Sequence, residues 1–161
     1  MPPMSPADSR LVVVPCGSAK VWDKQPGLGA VAARDAYTGA PFVLNREFAE
    51  RFGTAWVILS AKYGFVHPSD EIPGPYNVTF KRRSTGPVAT AALRAQVEQM
   101  ALGEFDEVVG LGGKEYRAAL TCAFQGSGVA LRFPFAGLPI GKMLQATRRA
   151  IDSGTPGLPP S

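Results

Sequence analysis

The amino-acid sequence predicts an α/β fold, a three-layer αβα sandwich on a four-stranded parallel sheet. Two patterns predict it. Four short runs are apolar or β-branched nearly throughout: Leu11–Pro15 (LVVVP), Ala55–Ser60 (AWVILS), Glu107–Leu111 (EVVGL) and Gly128–Phe133 (GVALRF). Such runs suit strands buried on both faces. Stretches with apolar residues at helical spacing alternate with them, giving the order β-α-β-α-β-α-β-α, which folds as a parallel sheet covered on both sides. The chain of 161 residues is long enough for one such domain. That domain is expected over residues 11–153, between a flexible N-terminal stretch, 1–10, and a flexible tail, 154–161.

Taken in order, the first strand leads to a helix over about residues 40–52, with Thr38 as its expected cap and Phe42, Phe48, Ala49 and Phe52 as its apolar positions. After the second strand, Thr85 and Pro87 introduce a helix in which Leu93, Val97, Met100 and Ala101 recur. Tyr116, Ala119, Leu120 and Ala123 mark a third helix over 114–124, and Ile140, Leu144, Thr147 and Ile151 a last one. Thr at the cap and Pro near the start follow the usual N-terminal preferences.

Composition narrows the function classes. Lys and Arg number 17 against 13 Asp and Glu, a net charge of +4, which is compatible with a polyanionic partner. One His and two Cys cannot assemble the usual Cys/His zinc spacing, so no metal is expected. Two cysteines are also too few for a disulfide scaffold, which points to a reducing, cytoplasmic setting. No run approaches the roughly 20 apolar residues that span a bilayer, and the first ten residues lack the apolar stretch of a signal peptide. No membrane partner and no cofactor are expected.

In parallel sheets the functional loops lie beyond the carboxyl ends of the strands. The first, after Pro15, offers Cys16, Gly17, Ser18 and Lys20, a combination able to bind an anion. Its spacing is not that of a Walker P-loop. Tyr37, in Asp35-Ala36-Tyr37-Thr38-Gly39, is placed to stack on a planar ligand or to pack as the helix opens. The segment Ser60–Asn77 is the richest, and a loop of that length in a small domain is usually functional. Ser60 and Lys62 open it, and Tyr63, Phe65 and Tyr76 offer aromatic walls. His67 is suited to protonate a leaving group, and Asp70 or Glu71 to activate a water. Lys81, Arg82 and Arg83 follow and suit phosphodiester contacts, with Lys142 as an extension. Gly112 and Gly113, ahead of Tyr116, allow a ligand close to a helix N-terminus, whose free N–H groups favour anions. The G-x-G-x-x-G pattern is absent, which argues against a nicotinamide dinucleotide.

The motifs VVVPCGSAK, DAYTG, ILSAKYGFVHPSDEI with a following PYN, GLGGKEY and GLPIGKM resemble the DUF6884 group of bacterial and archaeal proteins over about residues 11–145. The pattern Leu59, Ser60, Tyr63, Gly64, Pro68, Pro75, Tyr76 is similar to that of the peroxide-stress YaaA family. That likeness implies DNA binding and protection from oxidative damage. A remoter resemblance, through Pro15, Cys16 and Lys20, is to the glycosylase-like core of archaeosine synthase and so to the uracil-DNA glycosylase superfamily. It implies a four-stranded parallel sheet with a base pocket and DNA groove at its carboxyl edge. The G-Q-D-P-Y-H and G-E-A-P-G motifs of known glycosylases are absent, and His67-Pro68-Ser69 follows the second predicted strand.

The first expectation is therefore a DNA base N-glycosylase of DNA repair, removing a deaminated or modified base. Tyr63 and Tyr76 would wall the base, Asp70 would activate water, and His67 or Asn77 would contact the leaving base. Lys20, Lys62 and Lys81–Arg83 would hold phosphates. Asp23, Asp35 and Glu71 are further candidates for the acid. A non-catalytic DNA-binding stress-response protein and a small-molecule nucleoside or nucleotide enzyme are the alternatives.

Overall fold

The structure, a computed structural model, describes residues 9–156. Residues 1–8 and 157–161, which hold most of the expected flexible ends, lie outside the described residues. In chain order the elements are β1 (Arg10–Pro15), β2 (Val31–Ala32), α1 (Ala33–Ala36), α2 (Ala40–Phe52), β3 (Ala55–Ser60), β4 (Gly64–Val66), β5 (Glu71–Ile72), α3 (Thr90–Gln99), β6 (Glu107–Gly110), α4 (Lys114–Ala123), β7 (Ala130–Arg132) and α5 (Ile140–Ser153). Single 3₁₀ turns occupy Val21–Asp23, Arg83–Thr85 and Leu102–Glu104.

The main sheet has five strands in the order β4-β3-β1-β6-β7. The four strands predicted from the apolar runs are parallel, and β4 adds an antiparallel edge beside β3. The expectation of four strands is thus corrected to five. The chain turns back directly after β3 because Gly64 sits at φ +75, a left-handed conformation that glycine adopts without a Cβ penalty. A strand of three buried residues with no alternation leaves no signal within a segment rich in Gly and Pro. A separate two-stranded ribbon pairs Val31 with Ile72 and Ala32 with Glu71.

Strand periodicity sends successive side chains to opposite faces, and both faces of this sheet are covered. Leu11, Val13, Val57, Leu59 and Val108 pack with Leu93 and Val97 of α3 and Leu120 of α4. Val12, Val14, Ile58 and Val109 pack with Phe48 and Ala49 of α2 and Met143 and Ile151 of α5. This double burial is why the strands read as unbroken apolar runs. Burial of each such side chain contributes about 1.5–3 kcal/mol, and truncating Phe48, which is fully buried against Phe52 and Phe135, would cost about 3–5 kcal/mol.

The helix starts depart from expectation. Gly39 and Ala89 stand at the N-caps of α2 and α3, and neither gives a side-chain cap. Thr85 instead ties a loop, its hydroxyl donating to the carbonyls of Thr79 and Arg82. Proline within the first turn of α2 already lacks an N–H.

Topology places the site. From β1 the chain crosses by α2 to β3 on one side, then by α3 to β6 on the other side of β1. The strand order therefore reverses about β1, and the crevice beyond its carboxyl end lies at a topological switch point. The opposite, amino edge is closed by Glu107, which pairs with Arg10 at 2.6 Å and Arg132 at 2.9 Å across β1, β6 and β7.

Candidate functional site at the carboxyl edge

Three loops meet at the end of β1. Cys16 continues β1, its N–H donating to the Leu59 carbonyl of β3. Its Sγ lies 3.2 Å from the Tyr116 hydroxyl of α4. This approach of β6 and α4 to β1 requires Gly112, at φ +111, where a Cβ would stand 2.9 Å from Pro15. Gly113 is the N-cap of α4. Phe80 packs edge-on against Tyr116, with ring centroids 5.2 Å apart.

Ser60, fully buried at the end of β3, organises the phenols. Its Oγ accepts from the N–H groups of Lys62 at 3.2 Å and Tyr63 at 3.1 Å. Those two bonds occupy its two lone pairs, so its own proton goes to the Tyr76 oxygen, 2.8 Å away. The Tyr76 proton then goes to Tyr37, whose hydroxyl is 2.5 Å away. The relay runs from Ser60 to Tyr76 to Tyr37, whose side chain is itself buried. Burial pushes the Tyr37 phenol up to about 12; the hydrogen bond from Tyr76 opposes the rise and the nearby Cys16 adds to it. Burial, and then the nearby Cys16 thiol, raise Tyr76 and Tyr116 as well, so all three hydroxyls stay protonated at neutral pH.

Lys20 is 5% exposed. Its backbone is bridged to Tyr37, and its N–H donates to Asp23 at 2.9 Å. Its Nζ donates to the Ser18 carbonyl at 3.3 Å and lies 4.5 Å from the centre of the Tyr76 ring. It makes no ion pair among the described residues. A cation–π contact is worth about 0.5–2 kcal/mol, whereas burying an unpaired ammonium costs several kcal/mol. Burial accordingly lowers its pKa, offset in part by Cys16 and Asp23.

A cavity of about 390 Å³ opens here, lined by Ser18, Lys20, Asp23, Pro75, Tyr76 and Asn77. That volume falls in the roughly 300–1,000 Å³ range of small-molecule sites. A second hollow of about 310 Å³ lies along α2, where Arg46 is paired with Asp35 and Glu50.

Of the residues singled out in the sequence, the structure gathers Cys16, Ser18, Lys20, Tyr37, Ser60, Tyr63, Tyr76, Asn77 and Tyr116 about this edge, with Gly112 and Gly113 shaping it. Lys62 is exposed, its Nζ 5.2 Å from the Tyr63 ring. Lys81, Arg82, Arg83 and Lys142 are exposed and make no ion pair among the described residues. The Lys81–Arg83 segment is held near the site by Phe80 on Tyr116 and by the N–H of Val88 on the Ala61 carbonyl. His67 and Asp70 form an exposed turn in which the Asp70 carboxylate accepts the His67 backbone N–H at 2.9 Å. That turn docks on α1, where the N–H groups of Ala33 and Arg34 reach the carbonyls of Asp70 and Pro68. Phe65, an expected aromatic wall, is buried against Phe124 on the face of α3 and α4. Gln96 of α3 carries no mark in the sequence. It accepts from the Phe65 N–H and donates to the Tyr63 carbonyl, fixing the β3–β4 turn. A polar residue on a helix gives no signal of so distant a partner.

Fold and site together define an α/β protein with a phenol- and lysine-lined crevice at the switch point of a mainly parallel sheet. The chain belongs to DUF6884, a family of unknown function, whose profile matches residues 11–149. It is 39% identical over 144 residues to the uncharacterized protein YfjM of Bacillus subtilis (strain 168), covering 89% of this chain and 95% of that protein. No solved structure matches it. Among the described residues no helix is long and apolar enough to cross a membrane, and no group of three His, Cys, Asp or Glu residues gathers as a metal site would need.

Proposed function

We propose that this protein is a DNA base N-glycosylase that removes a deaminated or modified base at the carboxyl edge of its sheet. The observation that carries the reading is the cavity of about 390 Å³ bounded by Tyr76 and Lys20, with exposed cations beyond it. A base to be excised leaves the stack and is held against aromatic or apolar walls; Tyr76 supplies one at the cavity, with Tyr63 packed edge-on against it. Loss of the base develops negative charge on it, and fixed donors placed for that charge lower the barrier. The Lys20 amine, which lines the cavity, is such a donor, and the Ser60–Tyr76–Tyr37 relay holds Tyr76 in place beside it. Asn77 adds a side-chain amide at the cavity.

A second reading, DNA binding without base release, is favoured by one observation. Asp23 is the one carboxylate among the cavity-lining residues, and it already accepts the Lys20 N–H.

Labelled oligonucleotides carrying uracil, hypoxanthine or an oxidised purine, treated with alkali after incubation, separate the two. Strand breaks at one of these bases, abolished by Tyr76→Ala, are expected. Tight binding with no abasic sites across the panel would leave only the second reading.

A further inference from the structure

We propose that Lys20 is an amine nucleophile, which attacks the sugar carbon that carries the departing base and forms an imine with it. This rests on the glycosylase reading of the same cavity and names what displaces the base. The geometry singles out this lysine. Its side chain is buried, yet it lines the cavity together with Ser18, Asp23, Tyr76 and Asn77. Its backbone is pinned on both sides, by the bridge to Tyr37 and the bond to Asp23, while its Nζ keeps one long bond to the Ser18 carbonyl. The nearest carboxylate in sequence, Asp23, is turned to the backbone N–H, and Nζ has no ion-pair partner among the described residues. The groups that face it are the Cys16 thiol, the Asp23 carboxylate and the Tyr37 and Tyr76 phenols, of which the phenols are held neutral. A lysine kept out of water with no carboxylate paired to its Nζ holds a larger fraction of free amine than a surface lysine, the state that attacks carbon. Lys62 and Lys81, both exposed, lack that environment.

The step balances within the protein, substrate and solvent. The Nζ lone pair forms a bond to C1′ as the C1′–N glycosidic bond breaks, and the bonding pair leaves with the base. The nitrogen, now carrying an extra proton, passes it to the departing base. The remaining Nζ lone pair then opens the sugar ring, forming C1′=N as C1′–O4′ breaks, and O4′ takes a proton from solvent. Water adds to the imine and returns the free amine and the sugar aldehyde. No oxidant or reductant is consumed.

Borohydride reduces such an imine to a stable amine and so traps the protein on DNA. The full chain is incubated with the damaged-base panel and, separately, with an oligonucleotide carrying a preformed abasic site, each with and without borohydride. The expected result is a covalent protein–DNA band that appears only with borohydride and maps by peptide mass to Lys20. The band is expected to disappear in Lys20→Met, with folding of that variant checked by circular dichroism. Because the adduct is mapped in the wild-type chain, the test stands even if the variant does not fold. Base release with no adduct, or with an adduct at another lysine, overturns the role of Lys20 and leaves the glycosylase reading in place. An adduct at Lys20 with abasic DNA but no base release supports the amine chemistry and removes the glycosylase reading. Neither base release nor adduct removes both.

Discussion

Burial of Tyr37 decides how stability responds to alkali. An unfolded tyrosine ionises near 10, whereas burial holds folded Tyr37 to about 12. Between those values the unfolded chain has lost the proton and the folded one keeps it. The stabilisation is therefore fully present below about pH 10 and is lost as pH rises through about 12, a change of about 2–3 kcal/mol. Tyr76 and Tyr116 are shifted the same way and steepen the fall. Lys20, shifted down, acts in the opposite direction only until its unfolded value of 10.5. Urea midpoints measured from pH 8 to 12 should drop above pH 10, and less steeply in Tyr37→Phe. An equally steep fall in that variant would mean that Tyr37 ionises freely in the folded state. At this scale the sequence showed which residue types meet but not their burial. Lys20 read as a loop cation for an anion or phosphate, and its place beneath Tyr76 depends on a bridge to Tyr37, seventeen positions away. Asp70 read as an acid in a long loop, and only the turn geometry shows its carboxylate engaged with His67.

Elements with strong periodicity were legible and those set by a single turn were not. The parallel strands and α2, α4 and α5 lie close to where their apolar patterns put them, because each buries a whole face. The β4 edge instead depends on Gly64 and on Gln96, which lies on another element. Gly64→Ala meets both constraints, since the new Cβ requires φ +75 and would overlap Gln96 Oε1. The left-handed backbone costs about 1–2 kcal/mol, and displacing the Gln96 bonds to Phe65 and Tyr63 adds about 0.5–1.5 kcal/mol each. A destabilisation of about 2–4 kcal/mol is expected in chemical denaturation. Gln96→Ala already lacks the clash, so Gly64→Ala added to it should cost less than in the wild-type background. Strict additivity in that cycle would show that Gln96 does not fix the turn.

Across the whole molecule the two edges of the sheet differ in how charge is handled. At the amino edge Arg10 and Arg132 share the Glu107 carboxylate in a partly buried cluster. Beyond the carboxyl edge Lys81, Arg82 and Arg83 are exposed and unpaired among the described residues, and Phe80 anchors their segment to Tyr116. The net charge of +4 therefore understates the local field beside the crevice. If these cations meet phosphates, each contact releases a counterion on binding, and the slope of log K against log salt records the number. The variant Lys81→Ala/Arg82→Ala/Arg83→Ala should weaken binding to any DNA sequence alike and flatten that slope by about 1 for each phosphate no longer neutralised, up to about 3. Those residues stand on an exposed loop tied by Thr85, so stability should hold within about 0.5 kcal/mol. An unchanged slope with unchanged affinity would move the phosphate contacts off this loop. Weaker binding confined to damaged DNA would instead mean that the loop orders the crevice and does not hold the backbone.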